Sequence, residues 1–151
     1  MHKIVISDAS CLILLQKIDA LELLHAVYDS VITTSEVAKE YMLELPKWII
    51  IEKVVDTKYK TLLATQIDLG EASAIALATE KEDSLLLLDD LKARKLAKKL
   101  KLNFTGTLGV IIKAKKDGKI DKVKPVLEKI LQTNFRISRN IIDEILKLNN
   151  E

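Results

Sequence analysis

Residues 5–10 read VISDAS, an apolar run that ends on Asp8 just before a second apolar run, CLILL, at 11–15. A carboxylate is costly to bury, so its place between two such segments calls for a physical reason. The same pattern recurs along the chain. KIVIS (3–7), SVITT (30–34), WIIIEKVV (48–55), SLLLLD (84–89) and LNFTG (102–106) are short and mostly continuous in their apolar residues. Strands buried on both faces of a parallel sheet read this way. Between them lie segments of helical period. In LKARKLAKKL (91–100), Ala93, Leu96, Ala97 and Leu100 recur at i, i+3, i+4 and i+7, and GEASAIALATEKE (70–82) is a run of good helix formers. The alternation predicts an α/β three-layer fold, with a mostly parallel central sheet and helices on both faces.

From about Asp121 onward the pattern holds no strand. KVKPVLEKILQ (122–132) and SRNIIDEILKL (138–148) read as helices, with Pro125 in the first turn of one and Ser138 at the cap of the other. The expected organisation is an α/β domain over 1–120 and a helical extension over 121–151 packed on the same domain.

Composition narrows the class. At 48% hydrophobic and 30% charged, with four Gly and two Pro, the chain is neither disordered nor fibrous. Cys11 has no partner cysteine, which argues for a reducing compartment and a core role for this thiol. Ser7 and Asp8 break the first apolar run too early for a signal peptide, and no later run nears the ~18 apolar residues of a membrane span. A cytoplasmic protein without membrane contact is expected. Net charge is +2, yet Lys92–Lys119 holds ten Lys or Arg against the single acid Asp117, so that segment carries +9 and the rest of the chain −7. Such a basic segment suits an anionic partner.

In an open α/β sheet, ligands bind beyond the carboxyl ends of the strands. Acids stand at those exits: Asp8 after VIS, Glu36 after VITT, Asp89 and Asp90 after SLLLL, and Glu71 in the first turn of the GEASAIALA helix. Singly, each has a plainer explanation. Thr33-x-x-Glu36 and Asp68-x-x-Glu71 match capping boxes, and Asp8 and Asp90 suit N-caps. Gathered on one sheet edge, however, these acids would repel one another unless a cation or protons intervened. Oxygen donors point to Mg²⁺ or Mn²⁺, whereas His2 and His25 lie in no zinc-type spacing. The basic residues Lys92, Arg94 and Lys95 directly follow Asp90; they can draw a phosphate backbone toward the acids, and serve equally to solvate their helices.

VISDAS, TTSEV (33–37), GEASAIALA (70–78), LLLLDD (85–90) and FTGTLG (104–109), in that order, resemble the PIN-domain family of metal-dependent ribonucleases, many of them toxins of toxin–antitoxin pairs. LDDLKARKLA (88–97), with the C-terminal helices, is similar to a PIN-like subfamily whose members are mostly uncharacterised. The resemblance implies that Asp8, Glu36 and Glu71 are metal ligands and catalytic acids, with Glu71 where relatives often carry Asp. Asp89 or Asp90 supplies the fourth, Asp90 being favoured. Ser10, Thr105 and Thr107 are implied as supporting polar groups. Ser10 serves equally as a helix-start residue, and Thr105 and Thr107 flank Gly106 as turn formers do.

The expected activity is endoribonuclease hydrolysis of RNA, single-stranded by preference, by metal-activated water. A small antitoxin partner and a homodimer are implied with it. With water as nucleophile, DNA stays open as a substrate. The alternative is a PIN-like module that binds nucleic acid or protein and hydrolyses nothing. Other phosphoryl-transfer classes fit less well: Ser10 stands where a dehalogenase-type phosphatase has a second Asp, and no G-x-x-x-x-G-K occurs.

Overall fold

The computed structural model describes residues 4–151, so His2, and Lys3 at the start of the expected first strand, lie outside the described residues. Five strands form one sheet: β1 (Ile4–Ser7), β2 (Ser30–Thr34), β3 (Ile49–Glu52), β4 (Ser84–Leu87) and β5 (Phe104–Thr105). Their order is β3-β2-β1-β4-β5, and every pair is parallel. β1 is central because it is apolar on both faces. Val5 joins Val31 and Leu87 in one core cluster, while Ile6 joins Ile32 and Leu86 in the other.

The first face is covered by α1 (Ala9–Lys17), α2 (Glu22–Val27), α3 (Ser35–Tyr41), α7 (Thr107–Lys116), α8 (Lys124–Leu131) and α9 (Arg139–Leu148). The second carries α4 (Thr57–Leu63), α5 (Leu69–Thr79) and α6 (Leu91–Lys99). Residues 70–78 of α5 are all buried, as befits a helix that is apolar all round. Their small side chains let α5 approach its neighbours closely, and Ser73 Oγ lies 2.7 Å from Thr34 Oγ1 at the start of α3. α6 instead shows the expected stripe, with Ala93 and Ala97 fully buried.

Two strands are much shorter than their apolar runs, and β4 loses only Leu88. The expected strand over 48–55 contracts to Ile49–Glu52 at the sheet edge, where Ile50 and Ile51 are half exposed for want of an outer neighbour. β5 keeps only two residues of LNFTG.

The C-terminal helices share the first core. Leu127, Ile130, Ile142 and Ile145 pack in the cluster that holds Val5 and Leu12, and full burial of a side chain this size stabilises by about 1.5–3 kcal/mol. α9 begins at Ser138, whose Oγ accepts from Ile141 N at 3.2 Å. α8 has Pro125 in its first turn but no capping side chain of its own. Glu151 supplies one, accepting from Val123 N at 2.9 Å and Lys124 N at 3.0 Å.

Candidate functional site

With β2 and β3 on one side of β1 and β4 and β5 on the other, the winding direction reverses between β1 and β4. The crevice beyond their carboxyl ends is where such sheets bind ligands. Asp8 leaves β1 there, its N–H donating to Leu87 O at 3.3 Å, and Asp89 and Asp90 leave β4 one residue further on. Asp68 and Glu71 reach the same region from the start of α5.

Each of four Asp residues holds the N-terminus of a different helix. Asp8 Oδ1 accepts from Cys11 N at 3.0 Å for α1, Asp68 Oδ1 from Glu71 N at 2.9 Å for α5, and Asp90 Oδ2 from Ala93 N at 2.9 Å for α6. Asp89 caps α7 from a distance: Oδ1 accepts from Thr107 N at 2.9 Å and Oδ2 from Thr107 Oγ1 at 2.6 Å. The residue at that cap is Gly106, and a Cβ there would stand 2.5 Å from Asp89 Oδ1. Capping is thus real, and it converges four positive helix ends on one acidic pocket.

It also leaves carboxylate oxygens over. Asp8 is 1% exposed, and its Oδ2 is buried without a hydrogen-bond partner. Burial, against the Cys11 N–H but reinforced by the charges of Asp89 and Asp68, pushes the Asp8 carboxyl up to about 7. Glu71 is buried too and is raised well above the usual carboxylate range, by burial first and then by Asp68, Asp90 and Asp8. Asp68 and Asp90 are exposed, and Asp89 is half-buried. Among the described residues no three His, Cys, Asp or Glu side chains form a finished cation cage. The acids share a field rather than a single ligand point.

Glu36 does not join them. Its Oε2 accepts from Lys60 Nζ at 2.9 Å and its Oε1 from Ser35 Oγ at 3.0 Å. Burial alone would raise this carboxyl, but those two hydrogen bonds outweigh it and hold the group below its usual range. The cause is local. Thr34, not Thr33, caps α3 by accepting from Val37 N at 3.1 Å, while Thr33 Oγ1 donates to Ser7 O at 2.8 Å and ties β2 to β1. The α3 acid that meets the pocket is Glu40, one turn later. Burial and the charge of Asp68 raise it, against a hydrogen bond from the Gly70 backbone. Asp68 is therefore the common neighbour of Asp8, Glu71 and Glu40. The i, i+4 spacing of Glu36 and Glu40 and the glycine at position 70 were the signals available in the sequence.

The remaining expected residues divide. Thr107 is fully buried and holds Asp89. Thr105 is half-buried, with its Oγ1 packed against Gly109. Ser10 is exposed at the start of α1. Lys92 and Lys95 are exposed, whereas Arg94 is half-buried with its guanidinium 5.0 Å above the Phe104 ring. Cys11 is buried, and its Sγ lies 3.2 Å from Asp89 Oδ2; burial and the Asp8 and Asp89 charges keep the thiol protonated.

Fold and pocket together define a parallel α/β protein with an acidic site at its topological switch. A PIN-domain family model matches residues 4–151, and the chain belongs to the PIN-domain family. PIN domains are generally nucleases that typically use divalent metals. No curated protein matches the chain. Among the described residues, no helix is long and apolar enough to cross a membrane.

Proposed function

We propose that the chain is a divalent-metal-dependent endoribonuclease, with Asp8, Glu71 and Asp90 as its central acids and Asp68, Asp89 and Glu40 around them. One observation carries this reading: the buried, partnerless Oδ2 of Asp8, in a carboxyl that its surroundings push up to about 7. A structural cap needs one oxygen, and the second is costly to bury unless something binds it. The donors fit a hard cation such as Mg²⁺ or Mn²⁺, since all are oxygens and their mutual repulsion is relieved by positive charge. Asp8, Glu71 and Asp90 would hold it, and when bound it would activate water and offset the charge of the phosphodiester.

The chain's own groups do the rest. Thr107 fixes Asp89, so this acid orients its neighbours rather than ligating freely. Lys92 and Lys95, exposed in the first two turns of α6 after Asp90, attract the phosphate backbone. Single-stranded RNA is the proposed substrate. The family resemblance further supports a toxin role, with a small antitoxin as partner, a homodimer as the working form and the cytoplasm as location.

The competing reading is a PIN-like module that binds RNA without cutting it, favoured by the absence of a finished cage among the described residues. Labelled single-stranded RNA, incubated with and without millimolar Mn²⁺, separates the two. Cutting that needs metal and is lost in Asp8→Asn supports the nuclease. Mn²⁺ should also raise the Tm of the wild type and not of Asp8→Asn. Equal cutting by both proteins ends the proposal, and metal-indifferent binding without cutting favours the module.

A further inference from the structure

The turn between α8 and α9 lies beside the acidic pocket. Phe135 and Arg136 in this turn line two depressions. One, of about 340 Å³, is also lined by Asp89, Arg94, Gly106 and Ser138. The other, of about 440 Å³, is also lined by Ser10, Leu14 and Lys17. Asp89 brings the first depression to the acidic site, and the turn, through Phe135 and Arg136, lines both.

The charges there are unspent. Among the described residues Arg94, Arg136 and Lys17 have no carboxylate within ion-pair distance, although other cations of the chain do. The Nε of Arg94 is buried with no hydrogen-bond acceptor, while stacking on Phe104 fixes the plane of its guanidinium. A planar guanidinium held in one orientation suits a phosphate oxygen. Phe135 is half-buried and so presents part of its ring, the feature on which single-stranded bases stack.

We infer that the Phe135–Arg136 turn is the strand-holding wall of this site: single-stranded RNA crosses it with Arg94 and Arg136 on its phosphates and Phe135 against a base. RNA is favoured over a protein partner because one depression is lined by Asp89 together with Arg94 and Arg136, and because the cations along this wall have no carboxylate partner. The inference rests on the nuclease reading for its substrate class. It gives the C-terminal segment a positioning role beyond its packing.

The test uses the full chain carrying Asp8→Asn, a fluorescent single-stranded oligoribonucleotide and EDTA, with binding read by anisotropy across a salt series. Added Arg136→Ala should weaken binding about five- to tenfold and lower the salt slope by about 1. Phe135→Leu should weaken it about fivefold or more and leave the slope unchanged. Arg94→Gln repeats the phosphate loss should Arg136→Ala perturb the turn, and Lys58→Ala, on α4 and lining neither depression, should change nothing. In the otherwise wild-type chain with Mn²⁺, the turn variants should raise KM more than they lower kcat.

Binding that ignores all three variants overturns the wall, and metal-dependent cutting in the same chain would leave the nuclease reading standing. Variant-sensitive binding without any cutting supports the wall and removes the nuclease. No binding at low salt overturns the wall and leaves a protein as the occupant of this surface.

Discussion

Asp89 accepts twice from Thr107, through its backbone N at 2.9 Å and its Oγ1 at 2.6 Å, across 18 residues of sequence. The pair joins the end of β4 to the start of α7 where Gly106 offers no cap. Thr107→Val keeps the shape and the backbone bond but removes the hydroxyl from a charged acceptor. It should cost about 1.5–3 kcal/mol in urea unfolding, because hydrogen bonds to ionised groups exceed neutral ones. Thr107→Ser should recover most of that loss. Equal stability of Thr107→Val and wild type would mean that this bond does not hold the site.

Asp8 makes stability depend on pH with an unusual sign. Its folded-state value of about 7 lies above the ordinary 3.8, so the folded chain binds this proton more tightly than the unfolded chain does. Its contribution is intact at the acid end and is lost as pH rises from about 4 to about 7. Asp8→Asn keeps the cap on Cys11 N, since Asn is a good N-cap, and removes the buried charge. In EDTA at pH 8 it should therefore be more stable than wild type by about 1–3 kcal/mol, allowing for an amide NH₂ in the place of the partnerless Oδ2. Near pH 4 the gain should vanish or reverse. A gain of the same size at both pH values would show that the carboxyl is not perturbed.

Much of this site was legible because strand exits are easy to find. Asp8, Asp89 and Asp90 each end a continuous apolar run, and in a parallel sheet that alone carries them to one edge. Glu71 and Asp68 were visible as a helix start. What the sequence hid was helix phase. A single residue's shift in the cap, Thr34 for Thr33, decides which α3 acid meets α5, and TTSEV reads equally well either way. The two-residue β5 and the edge contraction of β3 were hidden similarly, since apolar runs do not reveal where a sheet stops. The approach of the α8–α9 turn to Asp89 depends on tertiary packing far along the chain and leaves no local signal.

On the nuclease reading, Glu36 and Glu40 should therefore separate in function. Glu36→Gln breaks a partly exposed pair with Lys60 and should cost at most about 1 kcal/mol, with cutting within about twofold of wild type. Glu40→Gln should lower cutting about ten- to hundredfold, as removal of supporting groups around metal ligands does. Steady-state rates on labelled RNA decide it. The reverse ranking would restore Glu36 to the site.

Gly70 offers an independent route to the same side chain. A Cβ at this position would stand 2.3 Å from Glu40 Oε1, the far end of a flexible chain that can swing aside. Gly70→Ala should leave stability within about 1 kcal/mol, helix propensity offsetting the displaced contact. Cutting should fall about as far as in Glu40→Gln, and the double variant should fall no further, since both remove one interaction. Full additivity of the two losses would show that Gly70 acts through something else.

Glu151 closes the C-terminal helices onto α7 and α8. Its carboxylate takes Lys115 Nζ at 2.7 Å as well as the Val123 and Lys124 N–H groups, and Lys115 Nζ also donates to Asn149 O. Burial pushes this carboxyl up, but those hydrogen bonds prevail and hold it at about 2, below the ordinary 4.5. For a lowered value the sign is the usual one. The contribution is fully present above about pH 4.5 and is lost as pH falls toward 2. Glu151→Ala should lower Tm at pH 7 by about 2–4 °C and speed amide exchange at Val123 and Lys124, which lose their acceptor. The Tm gap should narrow steadily below pH 4.5. A gap that is constant with pH would assign the loss to packing, and an unchanged exchange rate would show that the α8 cap comes from elsewhere.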